Sequence, residues 1–301
     1  MFLTFFIFLL IFFLYFHIMD QYKKGEDLEI YETDYKSNTD LQKICSIRQP
    51  IIFDFKSVYP DTLIELNPEI IQNAIGHKEI NVKDTEDYWI PNQNSVDTIT
   101  LSYTSFDQLA KTDTNAHFFT ENNGDIINDT PDIIRPLTKI DGYLKPYFVV
   151  HTKYDILSGS ANCSTPFRYH TNERTFFLAV SGSATIQLTP YKSGKILNEK
   201  RSYENYEFWS PIKPGSTNKV PILTCIIPIG QIIYIPPYWW HSIQFSKDTI
   251  LLSMTYNSAI NIASNLPAIC RYYLQFHNTS KKVLPPIPNI NPEGSDEKIN
   301  E

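Results

Sequence analysis

Gly230-Gln231-Ile232-Ile233-Tyr234-Ile235-Pro236-Pro237-Tyr238-Trp239-Trp240-His241 is the stretch on which the fold turns. Ile232 to Ile235 is a short β-branched and aromatic run, which suits a strand. Pro236 and Pro237 then stop the ladder, because proline has no N–H to donate. Similar runs lie at Tyr147 to Tyr154, Thr175 to Val180, Ala184 to Leu188, Ile222 to Pro228 and Thr249 to Thr255. Ser158-Gly159-Ser160, Ser181-Gly182-Ser183 and Ser193-Gly194 supply turns between them. Short strands at this spacing predict a mainly β domain, a sandwich or a double-sheet barrel. Upstream, Arg48 to Phe53 reads as a strand. A helical pattern over 60–78 has Asn67 as N-cap and Pro68 at the first helical position. Short helices are predicted over Asp107 to Lys111 and over 261–277.

The chain has 301 residues and a net charge of -7, from 26 basic and 33 acidic side chains. That length gives ample material for a buried core. An acidic balance argues against a nucleic-acid partner, which calls for a basic face. Four cysteines (Cys45, Cys163, Cys225, Cys270) in this length are too sparse for a disulfide scaffold and show no CxxC spacing.

Phe2 to Met19 (FLTFFIFLLIFFLYFHIM) carries no charge. As a helix it reaches about 27 Å, enough to span hydrocarbon. No basic residue precedes it and no small-residue cleavage site follows it, which favours an uncleaved anchor over a signal peptide. Lys23 and Lys24 follow it, and the positive-inside rule then puts the rest of the chain on the cytoplasmic side. The expected organisation is a transmembrane anchor at 1–19, a polar tether at 20–44, a single domain at 45–277 and a disordered tail at 278–301.

Two histidines frame the chemistry. His170 sits in Tyr169-His170-Thr171-Asn172-Glu173-Arg174, and His241 ends the stretch quoted above. A lone buried histidine is more often structural than ligating. A pair with a nearby carboxylate is different, because two His and one Asp or Glu on one side of an ion leave the remaining positions open. The segments Tyr234 to His241 and His170 to Gly182 resemble the cupin-like branch of the JmjC family of Fe(II)- and 2-oxoglutarate-dependent oxygenases, closest in motif to its asparaginyl hydroxylases. Weaker similarity extends over roughly 45–258. The resemblance implies a double-stranded β-helix (jelly roll, cupin/JmjC-type) with an α/β N-terminal part. It also implies Fe(II) and 2-oxoglutarate as cofactors, and a protein substrate.

By that resemblance His170 and His241 hold the metal, and the carboxylate ligand's place falls on Asn172, a neutral and weaker donor. Strand alternation points Glu173 to the opposite face. The cation that pairs with 2-oxoglutarate would fall at Ala184, which has no charge. Thr165, Arg174 and Lys153 are the substitutes that the sequence offers, Arg174 because it stands four residues after His170 on one strand face. Tyr234, Tyr238, Trp239 and Trp240 are expected to line the pocket, or else to pack the barrel. The resulting expectation is a membrane-anchored oxygenase, a protein hydroxylase. The alternative is a catalytically degenerate cupin-like domain that serves as a membrane-tethered binding or structural module. The changes at 172 and 184 divide the two.

Overall fold

Fifteen strands pair into two sheets in the computed structural model, which describes residues 2–90 and 96–277. In chain order they are β1 (Tyr31–Glu32), β2 (Ile51–Asp54), β3 (Glu79–Asp84), β4 (Ile99–Ser102), β5 (Phe118–Thr120), β6 (Val149–Gly159), β7 (Arg168–Tyr169) and β8 (Arg174–Ser181). There follow β9 (Ser183–Thr189), β10 (Lys200–Ser202), β11 (Glu207–Trp209), β12 (Leu223–Pro228), β13 (Gln231–Ile235), β14 (Trp240–Phe245) and β15 (Ile250–Ser258). A nine-stranded sheet runs β1-β2-β13-β8-β15-β6-β5-β3-β4, and a six-stranded sheet runs β10-β11-β7-β14-β9-β12. The helices are α1 (Phe2–Gln21), α2 (Asn38–Cys45), α3 (Asp61–Glu65), α4 (Pro68–Ile75), α5 (Tyr103–Thr112), α6 (Gly124–Asn128), α7 (Pro131–Leu144) and α8 (Ala259–Phe276). The fold is mainly β, as expected.

Strand alternation divides the core into layers. On one face of the nine-stranded sheet, Tyr154, Ile156, Phe176, Leu178, Tyr234, Leu252 and Met254 pack on Leu41, Ile71, Ile133, Leu137 and Ile140 of α2, α4 and α7. On the other face, Phe177, Ala179, Ile233 and Leu251 meet Ala184, Ile186, Leu188 and Ile243 of the six-stranded sheet. The central strands β8, β13 and β15 are buried on both sides because each side is covered. The hairpin β8–β9 turns at Gly182, whose φ of +59° favours glycine. A Cβ there would also lie 2.8 Å from the Thr249 Cα.

Helix α4 begins as its sequence predicts, with the Asn67 Oδ1 accepting the Ile70 N–H at 2.9 Å and Pro68 in the first turn. The segment 20–44 differs from the expected tether. Ser37 caps α2, Leu41 and Cys45 enter the core, and β1 pairs in parallel with β2. Leu41, Ile44 and Cys45 stand on one face of a helix, and that short apolar stripe outweighs the polar composition around it. Helix α1 is long and apolar enough to cross a membrane, with a mean hydropathy of 2.5 and none of its side chains buried. The tail expected at 278–301 lies outside the described residues.

Candidate functional site

Between the sheets lies a cavity of about 320 Å³. One wall is the inner face of the nine-stranded sheet. Antiparallel register sets Lys153, Thr255 and Thr175 side by side on β6, β15 and β8, and sets Asp155, Ser253 and Phe177 in the next row inward. The opposite wall is built on β7, β14 and β11, which contribute Arg168, His241 and Trp209. His241 is the register partner of Arg168, so the two side chains share a face. His170 follows the end of β7, on the loop that crosses to β8.

The structure brings the histidines together, with ring centroids 5.8 Å apart. The backbone fixes both segments, because the Tyr238 N–H donates to the His170 carbonyl at 2.8 Å. His241 is 3% exposed, and its Nδ1 donates to the Trp239 carbonyl at 3.2 Å. A carbonyl can only accept, so this contact places the proton on Nδ1 and leaves Nε2 with a lone pair. His170 keeps some exposure as a residue, yet both its ring nitrogens are buried and have no hydrogen-bond partner. Burial pulls its pKa down to about 4; the nearby Ile235 and Asn172 backbone acts in the opposite direction but makes no hydrogen bond to the ring of ordinary geometry. Burial, then His170 and Arg168, hold His241 well below the usual histidine range. Both rings are therefore neutral near pH 7, the form that binds a metal.

An ion about 2.1 Å from one nitrogen of each ring requires centroids no more than about 6.5 Å apart, and 5.8 Å falls within that reach. The spacing of the two imidazoles is compatible with a shared ion. A carboxylate does not complete the set. Asn172 lines the cavity, and its Oδ1 accepts from the Asn257 Nδ2 at 3.2 Å. The Asp155 carboxylate accepts the backbone N–H groups of Asn122, Asn123 and Ile156 at 2.7, 2.8 and 3.0 Å, so it is committed to the backbone. Glu173 turns away and accepts the Ser258 N–H at 3.1 Å. Among the described residues no cluster of three His, Cys, Asp or Glu could hold an ion.

Several expected site residues stand elsewhere. Arg174 does not face the cavity. Its Nε donates to the Gln42 Oε1 at 3.0 Å in the helical layer, and its guanidinium lies over Tyr234. The count of four from His170 assumed one continuous strand, but β7 ends at Tyr169 and β8 begins at Arg174. On β8 it is Thr175 and Phe177 that face inward. Tyr234 also belongs to the helical side, with its hydroxyl directed to the Cys45 carbonyl. Trp239 fills the core between the sheets and donates to the Arg48 carbonyl at 3.1 Å. Trp240 alternates with His241 and packs on the outer side of the six-stranded sheet beside Tyr169. Tyr238 meets Tyr191 edge-on and lies near Lys24, outside the cavity. Packing accounts for all four aromatics. The Thr165 hydroxyl accepts the Ile243 N–H at 2.9 Å and does not line the cavity. Ala184 is buried between the sheets. Lys153 does line the cavity, with its ammonium 3.0 Å from the Asn122 Oδ1.

The sequence reading missed a buried charge network at the cavity floor. Lys83 bridges Glu121, at 3.1 Å, and Glu207, and Arg168 pairs with Glu121. Burial alone would raise the Glu121 pKa; Arg168 and Lys83 outweigh it and hold the carboxyl well below its usual range. These four residues come from β3, β7, β11 and the end of β5. The four lie far apart in the sequence, on or next to separate strands, and nothing local to any one of them points to the other three. No family model and no curated protein matches the chain.

Proposed function

We infer that the protein is a membrane-anchored, cupin-like domain of the jelly-roll type whose cavity binds a divalent metal through His170 and His241, and that it acts as an Fe(II)/2-oxoglutarate-dependent hydroxylase. The observation that carries the reading is His170. A buried polar atom without a partner costs about 1–3 kcal/mol, and this ring holds two of them, beside a second neutral imidazole. A metal ion would engage the free Nε2 of His241 and one nitrogen of His170, which removes one of the two orphaned atoms of that ring. Fe(II) with 2-oxoglutarate supplies dioxygen activation for attack on a C–H bond when bound.

The chain's own residues have distinct tasks in this reading. The Trp239 carbonyl holds the proton on His241 Nδ1, so that Nε2 keeps the lone pair for a metal. Asn172 offers an amide oxygen as a third, neutral donor. Lys153, Thr175 and Thr255 form a row suited to a carboxylate, one charge and two hydroxyls on adjoining strands. Arg168 is less suited to that work, because Glu121 already neutralises it. Phe177 and Trp209 give the cavity apolar surface that limits water. Helix α1 holds the domain at a membrane, and the paired Lys23 and Lys24 favour the cytoplasmic side.

A second reading has its own support. Every carboxylate near the rings is engaged by backbone or by a cation, which favours a binding module without turnover. Titration of the full chain in detergent with Fe(II) or Mn(II) and 2-oxoglutarate separates the two. Metal binding with succinate formation supports the hydroxylase. Metal binding without succinate supports the binding module. No metal binding sinks both forms of the metal site.

A further inference from the structure

Helix α8 presents an apolar stripe to the outside of the molecule. Leu266, Tyr273 and Leu274 are 53%, 56% and 74% exposed, and Cys270 is exposed between them. The spacing i, i+4, i+7, i+8 puts the four on one side of the helix. Across Ala259–Phe276 the one charged side chain is Arg271, whose guanidinium donates to the Tyr203 hydroxyl at 3.1 Å. The inner side of α8 is polar instead. Asn261, Ser264 and Asn265 are buried against the body. This is an inverted arrangement for a helix facing water, where the outward side is normally the charged one.

What covers the stripe is indicated by where α1 ends. The Asn261 Nδ2 reaches the Gln21 Oε1 at 3.1 Å, in the last turn of α1, and the Tyr22 hydroxyl donates to the Ser264 carbonyl. The same Asn261 Nδ2 lies 3.2 Å from the Thr171 carbonyl, and the Asn265 Nδ2 reaches that carbonyl at 3.2 Å as well. Thr171 is part of the cavity wall, between His170 and Asn172. One asparagine thus ties the end of the apolar helix to the rim of the cavity. Phe148, immediately before the Val149 that pairs with the α8 cap Ser258, is 91% exposed.

We propose that α8 lies in the headgroup region of the bilayer that α1 enters, with Leu266, Cys270, Tyr273 and Leu274 toward the lipid, so that the cavity opens at the membrane surface. The proposal rests on reading α1 as a membrane span. An interfacial helix of this kind keeps its polar side on the protein and buries its apolar side about 5–10 Å into the headgroup boundary. The occupant of the cavity would then arrive along the membrane and pass α8 on entry.

A nitroxide on Cys270 tests this, in the full chain carrying Cys225→Ser and reconstituted in phosphatidylcholine vesicles. The expected result is a several-fold excess of collisions with dissolved oxygen over collisions with a water-soluble nickel chelate. Leu266→Glu with Leu274→Glu touches no core and should reverse that excess, while the chain still floats with the vesicles. A chain that floats but shows nickel collisions dominating at Cys270 overturns the proposal and leaves the anchor intact. Shielding from both reagents, with spin–spin broadening, also overturns it and assigns the stripe to a second copy. A chain that does not float overturns the reading of α1, and the proposal with it.

Discussion

Replacing His170 by leucine should stabilise the metal-free protein. Both ring nitrogens are buried without partners, and each such atom costs about 1–3 kcal/mol. The residue as a whole keeps partial exposure, which reduces the gain, so the expected net effect is about 1–3 kcal/mol in favour of His170→Leu. At roughly 2–4 °C per kcal/mol for a domain of this size, the melting temperature should rise measurably. The metal-loaded protein should behave in the opposite way. At a thousand times Kd, a bound ion adds about 4.1 kcal/mol to the unsubstituted chain and nothing to the variant. The order of stability therefore inverts between chelator and metal. Urea unfolding in detergent, followed by circular dichroism with EDTA and then with Mn(II), reads both arms. A variant less stable than the parent by more than about 1 kcal/mol in EDTA would mean that the protein itself satisfies the ring. A structural histidine would then replace the metal-site reading.

Other outcomes follow from the same geometry. Asn172→Asp keeps the acceptor oxygen toward Asn257 and adds a charge, so metal affinity should rise at least about tenfold by calorimetry. Glu121→Gln leaves Arg168 unpaired in a buried site and should cost about 3–5 kcal/mol in denaturant unfolding; Glu207→Gln should cost less, because Lys83 keeps Glu121. The folded Glu121 pKa lies below its unfolded value, so its contribution is complete above the ordinary carboxylate range and lost as pH falls through it. An acid titration should therefore show Glu121→Gln losing less stability than the parent as pH drops below about 4. Gly182→Ala forces a Cβ against the Thr249 backbone at positive φ and should destabilise by at least about 2 kcal/mol.

Local pattern in the chain reached the strands and the histidine pair, and stopped at facing. β6, β8, β9, β12, β13 and β15 all fall on runs that read as strands, because β-branched and aromatic residues mark them against Gly, Ser and Pro turns. The Asn67-Pro68 start of α4 was equally plain. Arg174 was misplaced because a four-residue loop interrupts the strand, and alternation restarts after it. Tyr234 and Trp240 were misplaced for the complementary reason: in a strand covered on both sides, an aromatic residue tells nothing about which side holds a cavity. Lys83, Glu121, Arg168 and Glu207 meet only after the chain has folded, so no spacing could bring them together on paper.

The hydrogen bond from the Tyr238 N–H to the His170 carbonyl joins the two histidine segments through main-chain atoms alone. Side-chain replacement at either position leaves that bond available. The backbone platform is therefore independent of the side chains that stand on it. Either side chain can be exchanged while the loop geometry stays in place, so that changing what the two positions offer takes one substitution rather than a rebuilt fold.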